Sequence, residues 1–410
     1  MTFADFLAVA LAAVWFLFSL GVLRNLLWSP QVPSREELPA PSTPYPVSIV
    51  LAGRDEGRRI EQTVRRLFAQ RDVKLQLIVV DDRSRDHTPE VLARLSAEFP
   101  ALESVRIEKL PSGWLGKTHA CHVGSLRARH PWLLFSDADC HMSDDLVARA
   151  IALAEREQAD HVALFPGIDA TGTLPRAAVM AWAQYLILYA PAARINRDRG
   201  RAAMGVGAFN LLRTKTYRSI GGHVPLRMEV LDDVKLGVMV RRDGYRERVY
   251  SALDELEAEW AGNVWQMIRN LEKNWFAGLE YRLERAIALI VALLVVWGGA
   301  ITAPLWSPGY GWWTLAGLLT TAVPGAVYSV RSGWPLWTAA LVPFCHVFFS
   351  LAGINSTWKT LRQGGVRWRD TFYPLAELRR GIVHYDRRRE TKTAEAEPVG
   401  PAPASSIVGE

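Results

Sequence analysis

Acidic residues follow three short apolar segments of this sequence. They come in the pairs Asp55 and Glu56, Asp81 and Asp82, and Asp137 and Asp139. Carboxylates brought to one place repel each other unless a cation lies between them. A hard divalent ion such as Mg²⁺ or Mn²⁺, bound by one or two carboxylates and by the phosphates of a substrate, would balance these charges.

The third pair has the spacing of a shared ligand site. Asp137 and Asp139 are separated only by Ala138. Residues two positions apart in an extended segment lie on one face, so both carboxylates can reach a single ion bound to a pyrophosphate. The pair therefore predicts a metal-binding position. His141 is a further candidate ligand, although a histidine at such a position is more often a surface residue.

The elements that must position these acids occupy about residues 44–257. Short β-branched runs predict strands at 47–51, 75–80, 105–110, 132–136 and 162–165. Apolar residues at helical spacing predict helices at 60–68, 91–95, 119–128 and 146–154. This alternation predicts an α/β fold with a mainly parallel sheet flanked by helices, whose ligands bind outside the carboxyl ends of the strands. The acids lie at those ends.

The composition excludes several classes of protein. The chain has 410 residues, half of them hydrophobic, and a formal net charge of +6. Its basic residues cluster near apolar stretches, which favours an anionic membrane surface over nucleic acid as a partner. Three cysteines without a CxxC motif predict a reducing compartment and no disulfide framework. The absence of a GxGxxG motif and of a P-loop lysine motif disfavours a dinucleotide dehydrogenase or an NTPase.

Four segments are apolar enough to suggest membrane helices. Residues 3–28 are long enough to span a bilayer, and neither a preceding basic region nor a cleavage site supports a signal peptide. The other segments are 286–305, 312–330 and 334–354. Arg24 and the Arg-rich central region place that region in the cytoplasm, at an inner membrane.

The basic residues at the end of the chain constrain the topology further. Three full late passes would put the Arg-rich segment 359–389 outside the cell, against the positive-inside rule. We therefore expect one late segment to be re-entrant or interfacial, and 312–330, which contains Pro324 and Gly325, is the first candidate.

These observations divide the chain into six parts. We expect an N-terminal transmembrane helix at 1–30, a cytoplasmic domain at 44–257 and an amphipathic, aromatic-rich interfacial helix at 258–284. A C-terminal transmembrane region of two to three helices at 285–356, a basic juxtamembrane segment at 357–390 and a disordered tail at 391–410 follow.

Five ordered motifs together resemble a known family. They are VSIVLAGRDE, LIVVDDRSRDHT, GWLGKTHA, LLFSDADC and LDDVKLGVMVRRDGY. In this order they resemble the inverting family 2 glycosyltransferases of the GT-A fold, over about residues 47–279. The GWLGK element and the later NLEKNWFAGL stretch are similar to a membrane-bound subgroup that includes hydroxycarotenoid glucosyltransferases and hopanoid-associated glycosyltransferases.

The resemblance implies roles for residues that hold the donor. Asp55 or Glu56 would contact the ribose or base, unless they are only charges of a solvated loop. Asp82 would accept the uracil imide N–H, with Asp81 in support. Lys117 begins a predicted helix, where a cation is unfavourable unless an anion such as a phosphate lies there. A base or ribose contact, or a plain surface lysine, are the alternatives.

The resemblance also implies the metal site and the base. It assigns Asp139 to the metal and Asp137 to the ribose or sugar, so that both form the DXD motif. The family usually has Glu-Asp where this chain has Asp232 and Asp233, and the second acid is its catalytic base. Asp233 is therefore the expected base, and Asp232 an acceptor-side residue with a shorter arm than usual.

Two further stretches have open interpretations. Residues 194–201, RINRDRGR, are either a solvated basic loop near lipid headgroups or a mobile lid over the donor phosphates, hinged at glycines such as Gly205 and Gly207. His223 is a candidate for the acceptor pocket. The Gln-x-x-Arg-Trp signature of related polymer synthases is broken, because Asn270 replaces its tryptophan.

The expected function is transfer of a single hexose from a UDP-sugar to the hydroxyl of a membrane lipid such as a carotenoid or hopanoid, with Mg²⁺ or Mn²⁺ as cofactor. The alternatives are a processive polysaccharide synthase, which the broken signature disfavours, and a polyprenyl-phosphate or glycerolipid glycosyltransferase. A membrane scaffold with a degenerate transferase fold is the alternative outside enzymes, and the retained acids argue against it.

Overall fold

The structure is a computed structural model that describes residues 1–260 and 262–385. The predicted tail at 391–410 lies outside the described residues. The strands of the main sheet are β1 (Tyr45–Gly53), β2 (Val73–Asp82), β3 (Leu102–Ile107), β4 (Trp132–Asp137), β5 (Cys140–Met142), β6 (His161–Ile168), β7 (Asn210–Arg213) and β8 (Glu247–Ala258).

These eight strands form one sheet in the order β3-β2-β1-β4-β7-β6-β8-β5. Strands β1 to β4, β6 and β8 run in one direction, and β7 and β5 run against them. Strands β1 and β2 are continuous apolar runs because helices cover both faces of the sheet. The mainly parallel, GT-A-like sheet that the sequence predicts is therefore confirmed.

Helices pack on both faces of the sheet and continue into the membrane region. Those before the late apolar segments are α1 (Phe3–Trp28), α2 (Ile60–Phe68), α3 (Thr88–Glu98), α4 (Gly116–Arg127), α5 (Leu146–Arg156), α6 (Thr173–Tyr189), α7 (Ala192–Ile195), α8 (Thr214–Ser219), α9 (Asp232–Arg242), α10 (Val264–Leu271) and α11 (Asn274–Gly278). The segment expected as one interfacial helix thus contains two short helices, α10 and α11. Trp275 and Tyr281 of that segment are buried in the protein, so it is not simply a lipid-facing surface.

The late part of the described chain adds five α-helices, one 3₁₀ helix and a hairpin. They are α12 (Leu283–Trp306), α13 (Gly311–Leu319), α14 (Ala322–Arg331), a 3₁₀ helix (Leu336–Leu341), α15 (Val342–Gln363), β9 (Gly365–Trp368), β10 (Thr371–Pro374) and α16 (Leu375–Gly381). Four segments are long and apolar enough to cross a membrane, namely Phe3–Trp28, Leu283–Trp306, Gly311–Arg331 and Leu336–Gln363. An N-terminal apolar helix and several C-terminal ones are therefore present, as the sequence predicts.

The helices α13 and α14 run beside the whole length of α1. Thr314 Oγ1 donates to the Ala8 carbonyl at 2.8 Å near one end of α1, and Arg331 Nη1 donates to the Leu26 carbonyl at 2.6 Å near the other. The pair therefore crosses the same thickness as α1. This contradicts the expectation that 312–330 is the re-entrant segment.

The segment that enters the group of apolar helices and turns back is the next one, Leu336–Gln363. After α14 the chain reverses, and Ser329 Oγ lies 3.4 Å from Thr338 Oγ1 on the 3₁₀ helix. Trp297 Nε1, in the middle of α12, then donates to the Pro343 carbonyl at 3.1 Å. Helix α15 returns to the sheet domain, where Ser356 Oγ accepts from the Phe276 N–H. Both ends of this segment lie on the domain side, which agrees with the charge distribution.

Helix α6 joins the sheet domain to the apolar helices. It lies within the region expected to be a separate soluble domain, yet Gln184 Nε2 donates to the Thr321 carbonyl between α13 and α14 at 2.9 Å. Its apolar residues form one buried cluster with residues of α1, α10 and α15. The sheet domain is therefore packed directly against the apolar helices rather than joined to them only by the chain.

A tight helix-to-sheet contact gives a test of this fold. A Cβ on Gly124 of α4 would lie 2.5 Å from Val50 Cγ1 and 3.1 Å from Val80 Cγ2. We expect Gly124→Ala to lower the free energy of unfolding by about 1–3 kcal/mol through overpacking, measured by thermal unfolding in detergent. Gly298→Ala in α12 is the matched control, because no atom lies within 4 Å of its added Cβ. Equal melting temperatures for the two variants would contradict this packing.

Candidate active site

Three neighbouring parallel strands bring the acids together. The order β2-β1-β4 places the carboxyl ends of these strands side by side. A cavity of about 1060 Å³ opens there. It is lined by seven of the eight predicted site residues, Glu56, Asp82, Lys117, Asp137, Asp139, Asp232 and Asp233. The exception is Asp55, whose carboxylate instead accepts from the Arg85 N–H at 2.8 Å and shapes the loop after β1.

Lys117 and Asp137 form the central ion pair of the cavity. Lys117 Nζ lies 2.7 Å from Asp137 Oδ1. Burial alone would lower the pKa of Lys117, but neighbouring carboxylates, Asp137 foremost, raise it well above its ordinary value. Burial would likewise raise the pKa of Asp137, and Lys117 brings it below its usual range. Both groups are therefore charged at neutral pH.

Among the residues that the structure describes, Asp139 forms no ion pair with a lysine or arginine. Burial, followed by the charges of Asp137 and Glu56, raises the pKa of Asp139 to about 6. Oxygen atoms of Asp137 and Asp139 and the Cys140 sulfur lie within 4.8 Å of one another. Crowded carboxylate oxygens are the ligands that Mg²⁺ and Mn²⁺ prefer. The donor set therefore fits a hard divalent cation.

The two acids at the start of α9 have different surroundings. The Asp233 carboxylate accepts from the Gly207 N–H and from the Val234 N–H, each at 2.8 Å. Asp232 is 3 % exposed, and burial together with Asp233 raises its pKa to about 7 against the opposing charge of Lys117. Asp233 is thus held in a fixed orientation beside Asp137, and Asp232 lies deeper.

Two glycines allow this convergence. The Cβ that Gly207 lacks would lie 2.7 Å from Asp137 Oδ2 and 3.0 Å from Asp233 Oδ2. A Cβ on Gly205 would overlap the Asp233 carbonyl oxygen. These glycines therefore serve close approach to the acids rather than the hinge motion considered from the sequence.

Asp82 lies at the other end of the row. Its two oxygens accept from Arg83 Nε at 2.7 Å and Arg83 Nη2 at 2.9 Å. A side chain on Gly116 would overlap Asp82 Oδ2, so the start of α4 passes directly over this carboxylate. Asp81 accepts from the Ser84 N–H at 3.0 Å, which fits the supporting role expected for it.

Three minor expectations do not match the positions found. Asp198 of the basic loop is bound by Arg241 and Arg248, which fixes the loop and argues against a mobile lid. His223 is 2 % exposed and does not line the cavity; its Nδ1 pairs with the Tyr217 hydroxyl at 2.7 Å. His141 lies buried in β5, also away from the cavity lining.

The sequence analysis missed two parts of the site. One is the hairpin β9–β10, expected only as a basic juxtamembrane segment, which contributes Trp368, Arg369 and Tyr373 to the cavity. The other is Lys273, quoted within NLEKNWFAGL without a role, which also lines it. Its place within that motif was the signal available. Part of the wall is apolar and is formed by Trp182, Leu186, Leu289, Leu293 and Phe349 of α6, α12 and α15.

Comparison with known proteins identifies the domain. Residues 48–221 match the family described as Glycosyl transferase family 2. The matched residues hold most of strand β1, strands β2 to β4 and the pair Asp137 and Asp139. The chain is 28% identical over 109 residues to the 4,4'-diaponeurosporenoate glycosyltransferase of Staphylococcus haemolyticus strain JCSC1435, a match covering 27% of this chain and 28% of that relative.

A longer match covers most of both chains. The 4,4'-diaponeurosporenoate glycosyltransferase of Staphylococcus aureus strain bovine RF122 / ET3-1 is 23% identical over 353 residues, or 81% of this chain and 89% of the relative. Among solved structures, the mannosyltransferase PcManGT from Pyrobaculum calidifontis, in complex with GDP-Man and Mn²⁺, matches with a TM-score of 0.53. At 19% identity over 87% of this chain and 99% of that chain, it shows a shared fold.

The close approach at Gly207 gives the test of the site. We expect Gly207→Ala to lower glycosyl transfer about 10- to 100-fold, because relieving about 1–3 kcal/mol of overlap must displace Asp137 or Asp233. Activity per folded molecule in detergent is the measurement. Gly309→Ala is the control, since no atom lies within 4 Å of its added Cβ. Unchanged transfer by Gly207→Ala would show that these acids need not converge.

Proposed function

We propose that this protein transfers a single hexose, with inversion, from a UDP-sugar to a hydroxyl group of a membrane lipid. One observation carries the proposal. A single cavity joins the cluster of acids at the sheet edge to an apolar wall formed by α6, α12 and α15. The polar end suits a sugar nucleotide, and the apolar end suits a lipid acceptor.

The names of the relatives support this acceptor class. They are glycosyltransferases of 4,4'-diaponeurosporenoate, and we infer for this chain an acceptor of the same general kind, a carotenoid, hopanoid or similar lipid. Four apolar segments among the described residues support a location in a membrane. We propose that this is the inner membrane, with the sheet domain in the cytoplasm, because Arg24 lies near the end of α1 and Arg331 in the last turn of α14 on that side.

In this proposal the donor is held along the row of acids. Asp82 accepts the uracil imide N–H. The Arg83 guanidinium, which binds both oxygens of Asp82, must then share or release that carboxylate. Glu56 and Lys117 lie beside the ribose and phosphates. Asp137 and Asp139 hold Mg²⁺ or Mn²⁺, and the Mn²⁺ complex of the structural neighbour supports this cofactor. A bound cation of this kind supplies Lewis-acid neutralisation of the diphosphate.

Asp233 is the proposed base. The acceptor oxygen attacks the anomeric carbon from the face opposite the nucleotide, and its proton passes to the Asp233 carboxylate. A bond forms between this oxygen and the anomeric carbon, while the bond from that carbon to the β-phosphate oxygen breaks. The electron pair of the broken bond stays on the phosphate, and UDP leaves. Asp232, with its raised pKa, lies beside the base on the inner side of the cavity.

The base and donor roles are separable by experiment. We expect Asp233→Asn to abolish transfer from UDP-glucose while sparing UDP binding, because the amide keeps the shape but accepts no proton. We expect Asp82→Ala to weaken UDP binding by about 10-fold or more, since a hydrogen bond to a charged group is lost. Turnover and calorimetry in detergent are the measurements.

Asp243→Asn is the matched control for the base, because it lies at the other end of α9 and pairs with Arg242 outside the cavity. Full transfer by Asp233→Asn would move the base role to Asp232. No turnover of any sugar nucleotide by the wild type, with or without Mn²⁺, would favour the scaffold alternative. Mass spectrometry of lipid extracts from cells with and without the protein would identify the acceptor.

The metal site predicts a pH-dependent stability. The pKa of Asp139 is about 6 in the folded protein, against 3.8 ordinarily. The metal-free folded state therefore holds a proton that the unfolded chain has lost, and this group's contribution to the free energy of unfolding falls as pH rises from about 4 to 6. A cation must displace that proton, so we expect Mn²⁺ to raise the melting temperature more at about pH 7.5 than at about pH 5.

Two variants make this measurement specific. Asp139→Asn should abolish most of the Mn²⁺-dependent shift. Asp254→Asn, an exposed acid of β8 outside the cavity, should leave the shift unchanged. A shift of the same size at both pH values would mean that Asp139 is not a ligand.

A further inference from the structure

The hairpin β9–β10 closes the donor end of the cavity from outside the family-matched residues. It follows α15, and it is fixed to the loops around the acids by three contacts: Arg369 Nη2 with Glu56 Oε1 at 2.7 Å, Arg54 Nη2 with Asp370 Oδ2 at 3.1 Å, and the Gly116 N–H with the Tyr373 hydroxyl at 3.1 Å. Glu56 and Gly116 belong to the walls beside Asp82 and Asp139. The hairpin is therefore a wall of the donor end rather than a free juxtamembrane segment.

Lys273 lies against this hairpin. It precedes α11 and lines the same cavity as the acids, and its Nζ lies 3.7 Å from the centre of the Trp368 ring. Such a cation–π contact holds an ammonium group in place without neutralising it. Within residues 1–260 and 262–385, Lys273 forms no ion pair with a carboxylate. Burial, and then the charge of Lys117, lower its pKa to about 8 against the opposing charges of Asp232, Asp137 and Asp233.

Three lysines line the cavity, and Lys273 differs from the other two, since Lys359 pairs with Glu272 at 2.7 Å. Lys117 is matched by Asp137 at 2.7 Å, whereas the ammonium of Lys273 rests on a ring face. A half-buried cation that faces a cavity without an ion-paired carboxylate is costly unless an anion binds there. The contact with Trp368 places Lys273 beside the hairpin that lies against the loops around the acids. In the proposed function, the anion that binds there is the diphosphate of the donor.

We propose that Lys273 binds the diphosphate of the donor and that Trp368 positions its ammonium group. This inference rests on the proposed glycosyl transfer. As the bond between the anomeric carbon and the β-phosphate oxygen breaks, the electron pair stays on the phosphate, and negative charge grows there. A cation already fixed beside that oxygen stabilises this charge more than it stabilises the ground state. Lys273 keeps its proton throughout, and Trp368 touches no reacting atom.

Comparing the binding of UDP with that of uridine tests this role, because only UDP carries the diphosphate. We expect Lys273→Met to weaken UDP binding about 10- to 100-fold, the loss expected for a charge-assisted hydrogen bond, and to leave uridine binding unchanged. Calorimetry in detergent measures both. Lys273→Arg should retain most UDP binding, which also guards against a variant that fails to fold. Lys215→Met, at an exposed lysine of α8 outside the cavity, is the matched control.

The positioning role of Trp368 is tested by a double-mutant cycle. We expect Trp368→Leu to weaken UDP binding about 3- to 10-fold in the wild type and to have little further effect in Lys273→Met. A purely structural role would give equal losses in both backgrounds. Trp265→Leu, at a tryptophan of α10 that is 69 % exposed and outside the cavity lining, is the control.

Other outcomes would overturn the inference. Unchanged UDP binding by Lys273→Met would exclude a diphosphate contact. Unchanged UDP binding together with lost transfer would assign Lys273 to the acceptor instead. Equal loss of UDP and uridine would mean that the variant damages the pocket as a whole. The wild type's turnover of a UDP-sugar decides the proposed function separately, because the inference is decided only by ratios between variants and wild type.

Discussion

The site depends on the ion pair between Lys117 Nζ and Asp137 Oδ1. The parallel sheet delivers several carboxylates to one edge, and burial there would otherwise protonate them or force them apart. One half-buried lysine at the start of α4 keeps Asp137 charged and leaves Asp139 short of positive charge. These residues therefore leave the cluster incompletely neutralised, and binding of a divalent cation would supply the missing positive charge.

The backbone around the cluster is shaped by the same constraint. Gly205 and Gly207 pass so close to Asp233 and Asp137 that neither position has room for a side chain. Gly116 has the same relation to Asp82. The acids are thus packed against main chain, whose N–H groups orient them, as the Gly207 N–H does for Asp233. Fixed dipoles of this kind need no rearrangement when charge moves during a reaction.

Local sequence pattern was sufficient for the sheet and for the convergence of the acids. Continuous apolar runs at 47–51 and 75–80 lie within β1 and β2, because strands covered on both faces cannot alternate. The third strand was predicted at 105–110, whereas β3 spans Leu102–Ile107. The prediction was displaced because this strand lies at the half-exposed edge of the sheet, where the apolar pattern is weaker. The membrane helix at 3–28 matches α1 residue for residue, since a lone apolar helix needs no tertiary information.

Contacts between distant parts of the chain could not be predicted from local sequence pattern. The basic composition of 357–390 is equally consistent with a solvated segment, and nothing local shows that Arg369 pairs with Glu56, 313 positions away. The same holds for α6, whose apolar residues fit a domain core as well as a membrane interface. Which of the late segments turns back was also decided by packing, since α13 and α14 match the length of α1 only when taken together.

The arrangement resolves a conflict between the two substrates proposed for this enzyme. A sugar nucleotide needs charges, and a charge carried into the bilayer is costly, whereas a lipid acceptor leaves the bilayer only at a cost of its own. Here the charges stay at the sheet edge, and α6, α12 and α15 bring an apolar wall to them. Helix α15 continues directly into the hairpin that closes the donor end. The same continuous segment therefore forms part of the apolar wall and part of the wall beside the acids, so that the two ends of the cavity are held at a fixed distance by one stretch of chain.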